Sequence, residues 1–264
     1  MSKARVKFNG ILQTTEVNVD PDNSTLSLND RTLTTSEVSL DAPISGTVYG
    51  TLLNYKGELE ALGSAVHNAP YNAPPVAPIL YIKPINTIIG NQAPIPLPAD
   101  VSELQIGAAL GVVIGKNATK VREDEALDYI LGYTIVNDVS VPHDSVYRPA
   151  IRQKARDGFC PVGPWIIERD AITNPDALTI SVYINGEIKQ QNSTANLIRP
   201  ISRLISEVTS FMTLYEGDTL LVGVPESAPL AREGDHVHIV IEKIGSLENK
   251  VKSETDCLLK EEIK

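Results

Sequence analysis

Alternating apolar and polar positions, together with short apolar runs, predict that most of this chain forms β-strands. In ALTISVYINGEIKQ (177–190), every second position from 178 to 184 is apolar, as in a strand with one buried face. The Asn185-Gly186 pair that follows predicts a two-residue hairpin turn. The apolar runs ALGVVIG (109–115) and YTIVNDVSV (133–141) predict two buried strands.

Helical periodicity is limited to a few short segments. ISRLISEVTSFM (201–212) places its apolar residues on one helical face, and REDEALDYIL (122–131) begins with acidic residues that favour a helix N-terminus. NYKGELEAL (54–62) predicts a further helix with Glu58 and Glu60 on its exposed surface. The fold class that we expect is therefore mostly β with few helices.

The segment DAPISG (41–46) is the predicted joint between two parts of the chain. Residues 1–46 alternate apolar and polar positions between turn residues and predict a small β-rich N-terminal domain, which leaves 47–264 for the main domain. The proline-dense NAPYNAPPVAPILYIKP (68–84) predicts an ordered loop, because proline fits neither a helix interior nor a central strand.

Composition and charge argue against several classes of protein. The formal net charge of -10 argues against nucleic acid as a partner. No apolar run approaches the length of a membrane span, and MSKARVKFNG has no secretion signal, so we expect a cytoplasmic protein with no membrane partner. Cys160 and Cys257 form no metal-binding pattern, which favours two reduced thiols.

One segment of this acidic chain concentrates positive charge. VYRPAIRQKARDGFCPVGPW (146–165) carries four cations within nine residues, Arg148, Arg152, Lys154 and Arg156. Guanidinium groups bind carboxylates through paired hydrogen bonds, and a desolvated lysine can act as an acid or a base. The pattern indicates a pocket for a small substrate with two or three carboxylates. An exposed basic surface balanced by acids such as Asp157 fits it equally well.

Asp138 is the second candidate for chemistry, because it interrupts the apolar run 133–141. A buried carboxylate is costly without a partner. Asp138 could ligate a metal, act as a base, or pair with Lys154. It could also cap backbone amides in a turn.

Taken in order, eight segments resemble the fumarylacetoacetate hydrolase family: LLNY (52–55), YIKPINTIIG (81–90), LGVVIGKNATKV (110–121), ILGYTIVNDVS (130–140), YRPAIRQKARDGFCPVGPW (147–165), VYINGEIKQQNSTANLI (182–198), FMTLYEGDTLLVGVP (211–225) and GDHVHIVIEKIGSLENKV (234–251). The resemblance covers about 47–251 and is closest to the amino-terminal half of members built from two related halves. It implies a mixed β-roll body after a small β-domain, with a pocket at the strand ends.

The resemblance also implies site residues. In catalytic members of the family, a Glu-x-Glu pair and an aspartate hold Mg²⁺ or Mn²⁺. Gly107 and Ala109 occupy the positions of that pair here, and only Asp138 is kept. Because a divalent ion needs several oxygen ligands, we expect no metal cofactor. Glu58 and Val224 stand where the family has a histidine and a threonine.

The remaining positions follow the family pattern. They imply Lys154 and Asp138 as catalytic residues, and the substrate-binding set is Tyr147, Arg148, Arg156, Asp157 and Lys83. The substrate would be a small di- or tricarboxylate.

Three functions remain open on this basis. The first is an isomerase that converts 5-carboxymethyl-2-hydroxymuconate or 2-hydroxyhepta-2,4-diene-1,7-dioate to a 2-oxo-enoate in 4-hydroxyphenylacetate catabolism. The second is a decarboxylase of 5-oxopent-3-ene-1,2,5-tricarboxylate, which needs a stronger electron sink. The third is a weakly active or non-catalytic subunit that completes a metal-bearing homologue. We expect a homodimer or a hetero-oligomer with a homologous subunit.

Overall fold

The computed structural model of the protein describes residues 1–69, 72–143 and 150–258. Its strands, in chain order, are β1 Ser2–Phe8, β2 Thr15–Asp20, β3 Thr25–Leu28, β4 Arg31–Thr34, β5 Leu40–Asp41, β6 Val48–Leu52, β7 Ile79–Lys83, β8 Ile88–Ile89, β9 Ile95–Leu97, β10 Leu104–Gln105, β11 Ala108–Ile114, β12 Ile130–Asn137, β13 Cys160–Glu168, β14 Thr179–Ile184, β15 Glu187–Ser193, β16 Thr219–Leu221, β17 Leu230–Ala231, β18 His236–Ile241 and β19 Gly245–Ser253.

The helices of the described residues are short. The α-helices are α1 Lys56–Ala61, α2 Ile151–Lys154, α3 Ile201–Thr209 and α4 Glu254–Leu258. Single 3-10 segments lie at Gly63–His67, Ile85–Thr87, Glu123–Tyr129, Arg169–Ala171, Pro175–Ala177 and Thr194–Asn196. Within the same part of the chain, no helix is long and apolar enough to cross a membrane.

The strands form one large and one smaller sheet, with an additional β10–β17 pair. The large sheet follows the order β4-β3-β2-β1-β13-β12-β11-β16-β6-β7, and the smaller one follows β15-β14-β18-β19-β9. Most pairs are antiparallel, while β16–β6, β13–β8 and β19–β9 are parallel. The prediction of a mostly β, mixed fold is confirmed.

The large sheet curls, and this brings distant segments to one place. Strand β7 lies at one end of the strand order, yet β8, which follows it closely in sequence, pairs with β13 in the middle. The chain between them therefore returns from the end of the sheet to its centre. This path carries Lys83, the last residue of β7, to Asp138, the residue after β12.

The main core lies between the two sheets, where β11, β12 and β13 face β14, β18 and β19. Trp165 of β13 is fully buried there, and its Nε1 donates to the carbonyl oxygen of Ile244 at 2.7 Å. A second apolar cluster on the large sheet includes Ala109, Val113 and Val136. The site described below therefore rests on strands that are fixed by apolar packing on both faces.

Most elements predicted from local sequence patterns are present in the structure. The hairpin is confirmed: β14 and β15 are joined by Asn185 and Gly186, both with positive φ. The helix in 201–212 and the strands in 109–115 and 133–141 are also present, although the last ends at Asn137. The segment 122–131 forms a 3-10 helix followed by the start of β12, because Ile130 and Leu131 join the sheet.

The N-terminal strands continue the large sheet. β1 pairs antiparallel with β13 of the body, and Ala4 and Val6 are buried in the main core. A boundary at residue 46 stays a prediction. In the proline-dense segment, the described residues before Ile79 form no regular element. β7 itself contains no proline and is a terminal strand of the sheet path.

Candidate active site

Asp138 lies at the centre of a buried ionic cluster. β12 ends one residue before it, and its amide donates to the carbonyl oxygen of Gly107 at 2.8 Å. Its side chain is only 1% exposed, so the carboxylate has lost nearly all contact with water. Such a group needs partners of opposite charge.

Lys83 supplies the first of these partners. Its Nζ lies 3.0 Å from Asp138 Oδ1, an ion pair whose geometry is not that of a hydrogen bond. The same ammonium donates to the carbonyl oxygens of Val139 at 3.0 Å and Lys154 at 2.7 Å. Because the Lys83 side chain has no exposed surface, its contacts orient Asp138 and the end of α2.

Lys154 supplies the second partner and is the part of the cluster that reaches solvent. Its Nζ donates to Asp138 Oδ2 at 2.7 Å and to Ser140 Oγ at 2.8 Å, and its side chain is 15% exposed. The ammonium also lies 4.7 Å from the centre of the Tyr81 ring. The pairing of Asp138 with Lys154, one of the four options left open by the sequence, is present.

The electrostatics of Asp138 follow from these contacts. Burial alone would raise the pKa of Asp138, but the ammonium groups of Lys154 and Lys83 outweigh it and hold the pKa well below its usual range. The Tyr81 hydroxyl donates to Asp138 Oδ2, and burial together with the Asp138 charge raises the pKa of Tyr81. The cluster is therefore a fixed carboxylate with two cations and a neutral phenol.

Glu58 was predicted on an exposed helix surface, and that prediction is wrong. Glu60 is exposed, but Glu58 is partly buried and its Oε2 is shielded from solvent with no hydrogen-bond partner among the described residues. Burial raises the pKa of Glu58 to about 7, although the amide of Leu53 and the charge of Lys154 act in the opposite direction. The helix α1 thus carries a partly buried carboxyl group whose charge interacts with that of Lys154.

This raised pKa predicts a pH-dependent stability. The folded protein holds a proton on Glu58 up to about pH 7, whereas an ordinary glutamate releases it near 4.5, so stability falls as the pH rises between these values. Glu58→Gln has no titratable group at this position and does not lose stability in this way. Its free energy of unfolding therefore rises by about 1–3 kcal/mol relative to that of the wild type between pH 4.5 and 8. Urea denaturation across that pH range measures it, with Glu60→Gln as the control. A difference independent of pH would contradict the assignment.

The cationic run divides into inward and outward side chains. Lys154 points into the cluster, while Arg152 and Arg156 pair with Asp100 at 3.1 Å and 3.0 Å. Asp157 accepts a hydrogen bond from Asn86 at 2.6 Å.

Three of the seven candidate residues, Asp138, Lys83 and Lys154, are in mutual contact. The side chains of Arg156 and Asp157 pair elsewhere, with Asp100 and Asn86. Tyr147 and Arg148 lie outside the described residues. The substrate-binding roles of all five predicted residues stay predictions.

The residues at the family's metal positions do not fit a divalent ion. Gly107 and Ala109 offer no side-chain oxygen, and Ala109 is fully buried in the second apolar cluster. A Cβ at Gly107 would lie 2.5 Å from the carbonyl oxygen of Asp138, so the main chain fills the space that a ligand side chain needs. Asp138 itself already faces two cations. Across 1–69, 72–143 and 150–258, no group of three His, Cys, Asp or Glu could hold a metal.

Two surface cavities lie elsewhere on the fold. One of about 290 Å³ is lined by residues that include Lys116 and Arg169, and another of about 400 Å³ by residues that include Arg5 and Glu216. Neither is lined by a residue of the ionic cluster. The chemistry of the buried groups, rather than the size of these cavities, therefore marks the candidate site.

This arrangement can stabilise negative charge on a bound molecule. Two ammonium groups lie beside one carboxylate, so the cluster of Lys83, Lys154 and Asp138 carries net positive charge. An anionic oxygen that forms next to Lys154 would be stabilised strongly because little water competes.

The curled mixed sheet and this cluster agree with a known family. The family model described as "Fumarylacetoacetate (FAA) hydrolase C-terminal" matches residues 47–252. The chain belongs to the fumarylacetoacetate hydrolase family.

One curated relative gives a more specific comparison than the family model. The chain is 43% identical over 213 residues to the 4-hydroxyphenylacetate degradation bifunctional isomerase/decarboxylase of Escherichia coli, a match that covers 81% of this chain and 48% of the relative. The chain thus spans about half the length of that curated relative.

Solved structures show the same architecture. The 2-hydroxyhepta-2,4-diene-1,7-dioate isomerase from Mycobacterium marinum is 30% identical, with a TM-score of 0.77 over 96% of this chain and 99% of that one. A maleylpyruvate hydrolase from Sphingobium, solved with manganese(II) and pyruvate, has a TM-score of 0.75 at 23% identity, over 95% and 99% of the two chains. The second likeness shows the fold alone. Manganese therefore occurs on this fold, in a protein other than this one.

Proposed function

We propose that the protein is an isomerase that moves a proton along a 2-hydroxy-2,4-dienoate with two or more carboxylates, giving a 2-oxo-3-enoate. The observation that carries this proposal is the buried cluster in which Lys154, paired with Asp138 at 2.7 Å, is the cation that reaches solvent. The name of the Mycobacterium marinum relative, an isomerase of 2-hydroxyhepta-2,4-diene-1,7-dioate, supports the choice of substrate class.

The reaction needs a site that accepts charge on an oxygen. When the hydroxyl on carbon 2 loses its proton, negative charge spreads over that oxygen and the conjugated carbons. In this proposal Lys154 donates to this oxygen by turning from Asp138 or Ser140, its present acceptors. Fixed ammonium groups in a dry site stabilise such charge without reorganisation. In this proposal Lys154 stabilises the charge on the oxygen, and Asp138 and Lys83 hold Lys154 in place.

The substrate carboxylates require further cations. Arg156 is a candidate, because its present partner Asp100 is half-exposed and an exposed ion pair of this kind exchanges at little cost. Tyr147 and Arg148 complete the proposed set, with Asp157 positioned through Asn86. Guanidinium groups would then fix the ends of a dicarboxylate while Lys154 faces its hydroxyl.

We expect isomerisation without an added metal, because the residues at the family's ligand positions do not fit one. Purified protein is treated with EDTA and assayed on 2-hydroxyhepta-2,4-diene-1,7-dioate by the loss of dienol absorbance. The expected rate is unchanged within about twofold, since Lys154 rather than an ion takes the oxygen charge. Strict dependence on Mg²⁺ or Mn²⁺ would contradict this reading.

The same purified protein can be used to test two other functions. The decarboxylase reading is favoured by the bifunctional name of the Escherichia coli relative, and release of CO₂ from the tricarboxylate substrate would support it. The partner reading is favoured by the residues at the family's ligand positions, which do not fit a divalent ion. It expects no turnover by this chain alone, with activity only after mixing with a homologous subunit that carries the metal ligands.

A further inference from the structure

Three side chains at or against α1 have no role so far: Glu58, Glu226 and Tyr55. We propose that Glu58 is the catalytic residue that carries the proton from the substrate hydroxyl to its carbon chain. This inference deepens the proposed isomerase function and rests on it.

The first argument is the state of the Glu58 carboxyl group. Its Oε2 is buried without a hydrogen-bond partner among the described residues, which is costly for a group with only a structural role. One oxygen is therefore available to a proton or to a substrate atom.

The second argument is the proximity of Glu58 to the cluster. The charge of Lys154 stabilises the Glu58 carboxylate, and the Glu58 charge in turn contributes to the raised pKa of the buried Tyr81, after burial and Asp138. Lys154 and Tyr81 both contact Asp138. The charge of Glu58 thus interacts with the ammonium that we assign to the substrate oxygen and with Tyr81.

The third argument is the set of groups around Glu58. The Glu226 carboxyl group lies against Gly57, so close that a Cβ on Gly57 would be 2.3 Å from the Glu226 carboxyl carbon. Glu226 Oε1 accepts a hydrogen bond from Asn192 Nδ2 at 3.0 Å. Glu226 Oε2 and the Tyr55 hydroxyl are buried without partners in the described part of the chain. Glu58 therefore lies near other buried polar groups that have no hydrogen-bond partner among the described residues.

The surroundings explain why Glu58 can both take and give a proton. Burial raises its pKa to about 7, Glu226 acts in the same direction, and Lys154 opposes both. A carboxyl group with a pKa near the working pH exists in both protonation states, as a proton carrier must.

The proposed step balances in atoms and electrons. The Glu58 carboxylate takes the proton from the hydroxyl on carbon 2, and the electron pair of that O–H bond leaves a dienolate facing Lys154. As the C2=O bond forms, the C2=C3 pair moves to C3=C4 and the C4=C5 pair takes the proton back from Glu58 at carbon 5. Glu58 ends as the carboxylate with which it began, and no oxidant or second reactant is needed.

The test compares Glu58→Gln with Glu58→Asp and with Glu60→Gln, an exposed control on the same helix. Glu58→Gln is expected to lower kcat by about 10²–10⁴-fold with KM changed less than threefold, since proton transfer rather than binding is lost. Glu58→Asp restores part of the rate because it keeps a carboxyl group. The wild-type kcat/KM rises with pH through about 7, and the residual rate of Glu58→Gln lacks that rise.

A second assay separates this inference from the proposed function. Deuterium exchange at carbon 5 of a 2-oxo-3-enoate, followed by NMR in D₂O, reports proton transfer to and from that carbon without net isomerisation. If the wild type isomerises the dienoate and Glu58→Gln does so within about threefold, the role of Glu58 is overturned and the function stands. If the wild type only exchanges deuterium, and Glu58→Gln does not, the role stands and the function falls. Failure of the wild type in both assays overturns both.

Discussion

Lys154→Met is expected to lower kcat for dienoate isomerisation by about 10³-fold, because it removes the ammonium that faces the charged substrate oxygen. The fold should survive the change. Asp138 keeps Lys83 at 3.0 Å and the Tyr81 hydroxyl, so the carboxylate retains a cation and a hydrogen bond. Steady-state kinetics measure the effect, and near-ultraviolet circular dichroism shows whether the packing is intact.

The matched control for this variant is Arg152→Met. Arg152 lies on the same short helix, but its side chain is 79% exposed and pairs only with the half-exposed Asp100 among the contacts described. We expect activity within about twofold of the wild type, since exposed ion pairs of this kind contribute little. If Lys154→Met turned over the dienoate as fast as Arg152→Met, the assignment of Lys154 to the substrate oxygen would be wrong.

Lys83→Met is expected to have the largest effect on stability, a loss of about 3–5 kcal/mol in the free energy of unfolding. The ammonium of Lys83 is completely buried and satisfies two carbonyl oxygens as well as Asp138. Methionine fills most of the space but leaves the two carbonyl groups unpaired and Asp138 with one cation instead of two. Urea denaturation monitored by the fluorescence of Trp165, which is buried in the main core, measures the loss.

Lys250→Met provides the comparison, because Lys250 is an exposed lysine in β19. Its free energy of unfolding should stay within about 0.5 kcal/mol of the wild type. A loss in Lys83→Met no larger than in this control would show that the buried ion pair does not hold the end of β7 against Asp138.

Local patterns in the sequence were sufficient for most elements of the fold. Strand alternation and the Asn185-Gly186 turn act over a few residues, so the hairpin could be read directly. The link between Asp138 and Lys154 was among the options that the sequence offered, because a cation can offset the cost of a carboxylate after a buried strand.

The remaining features depend on contacts between residues far apart in the chain. Whether α1 turns Glu58 or Glu60 inward depends on how it packs beside Glu226, more than 160 positions later. The balance of Arg156 by Asp100, rather than by an acid next to it in sequence, depends on the loop after β9. No local pattern contains this information.

The contact at Gly107 also limits how this chain could change. Restoring the two acidic residues at 107 and 109 would not by itself restore a metal centre, since the first new side chain meets the Asp138 carbonyl oxygen at 2.5 Å. The main chain before β11 would have to shift, at a position where the carbonyl oxygen of Gly107 accepts a hydrogen bond from the Asp138 amide. A metal site at this position therefore requires a change in the main chain as well as new carboxylate side chains. Efforts to engineer a metal-dependent version should therefore begin with the main chain of the loop before β11.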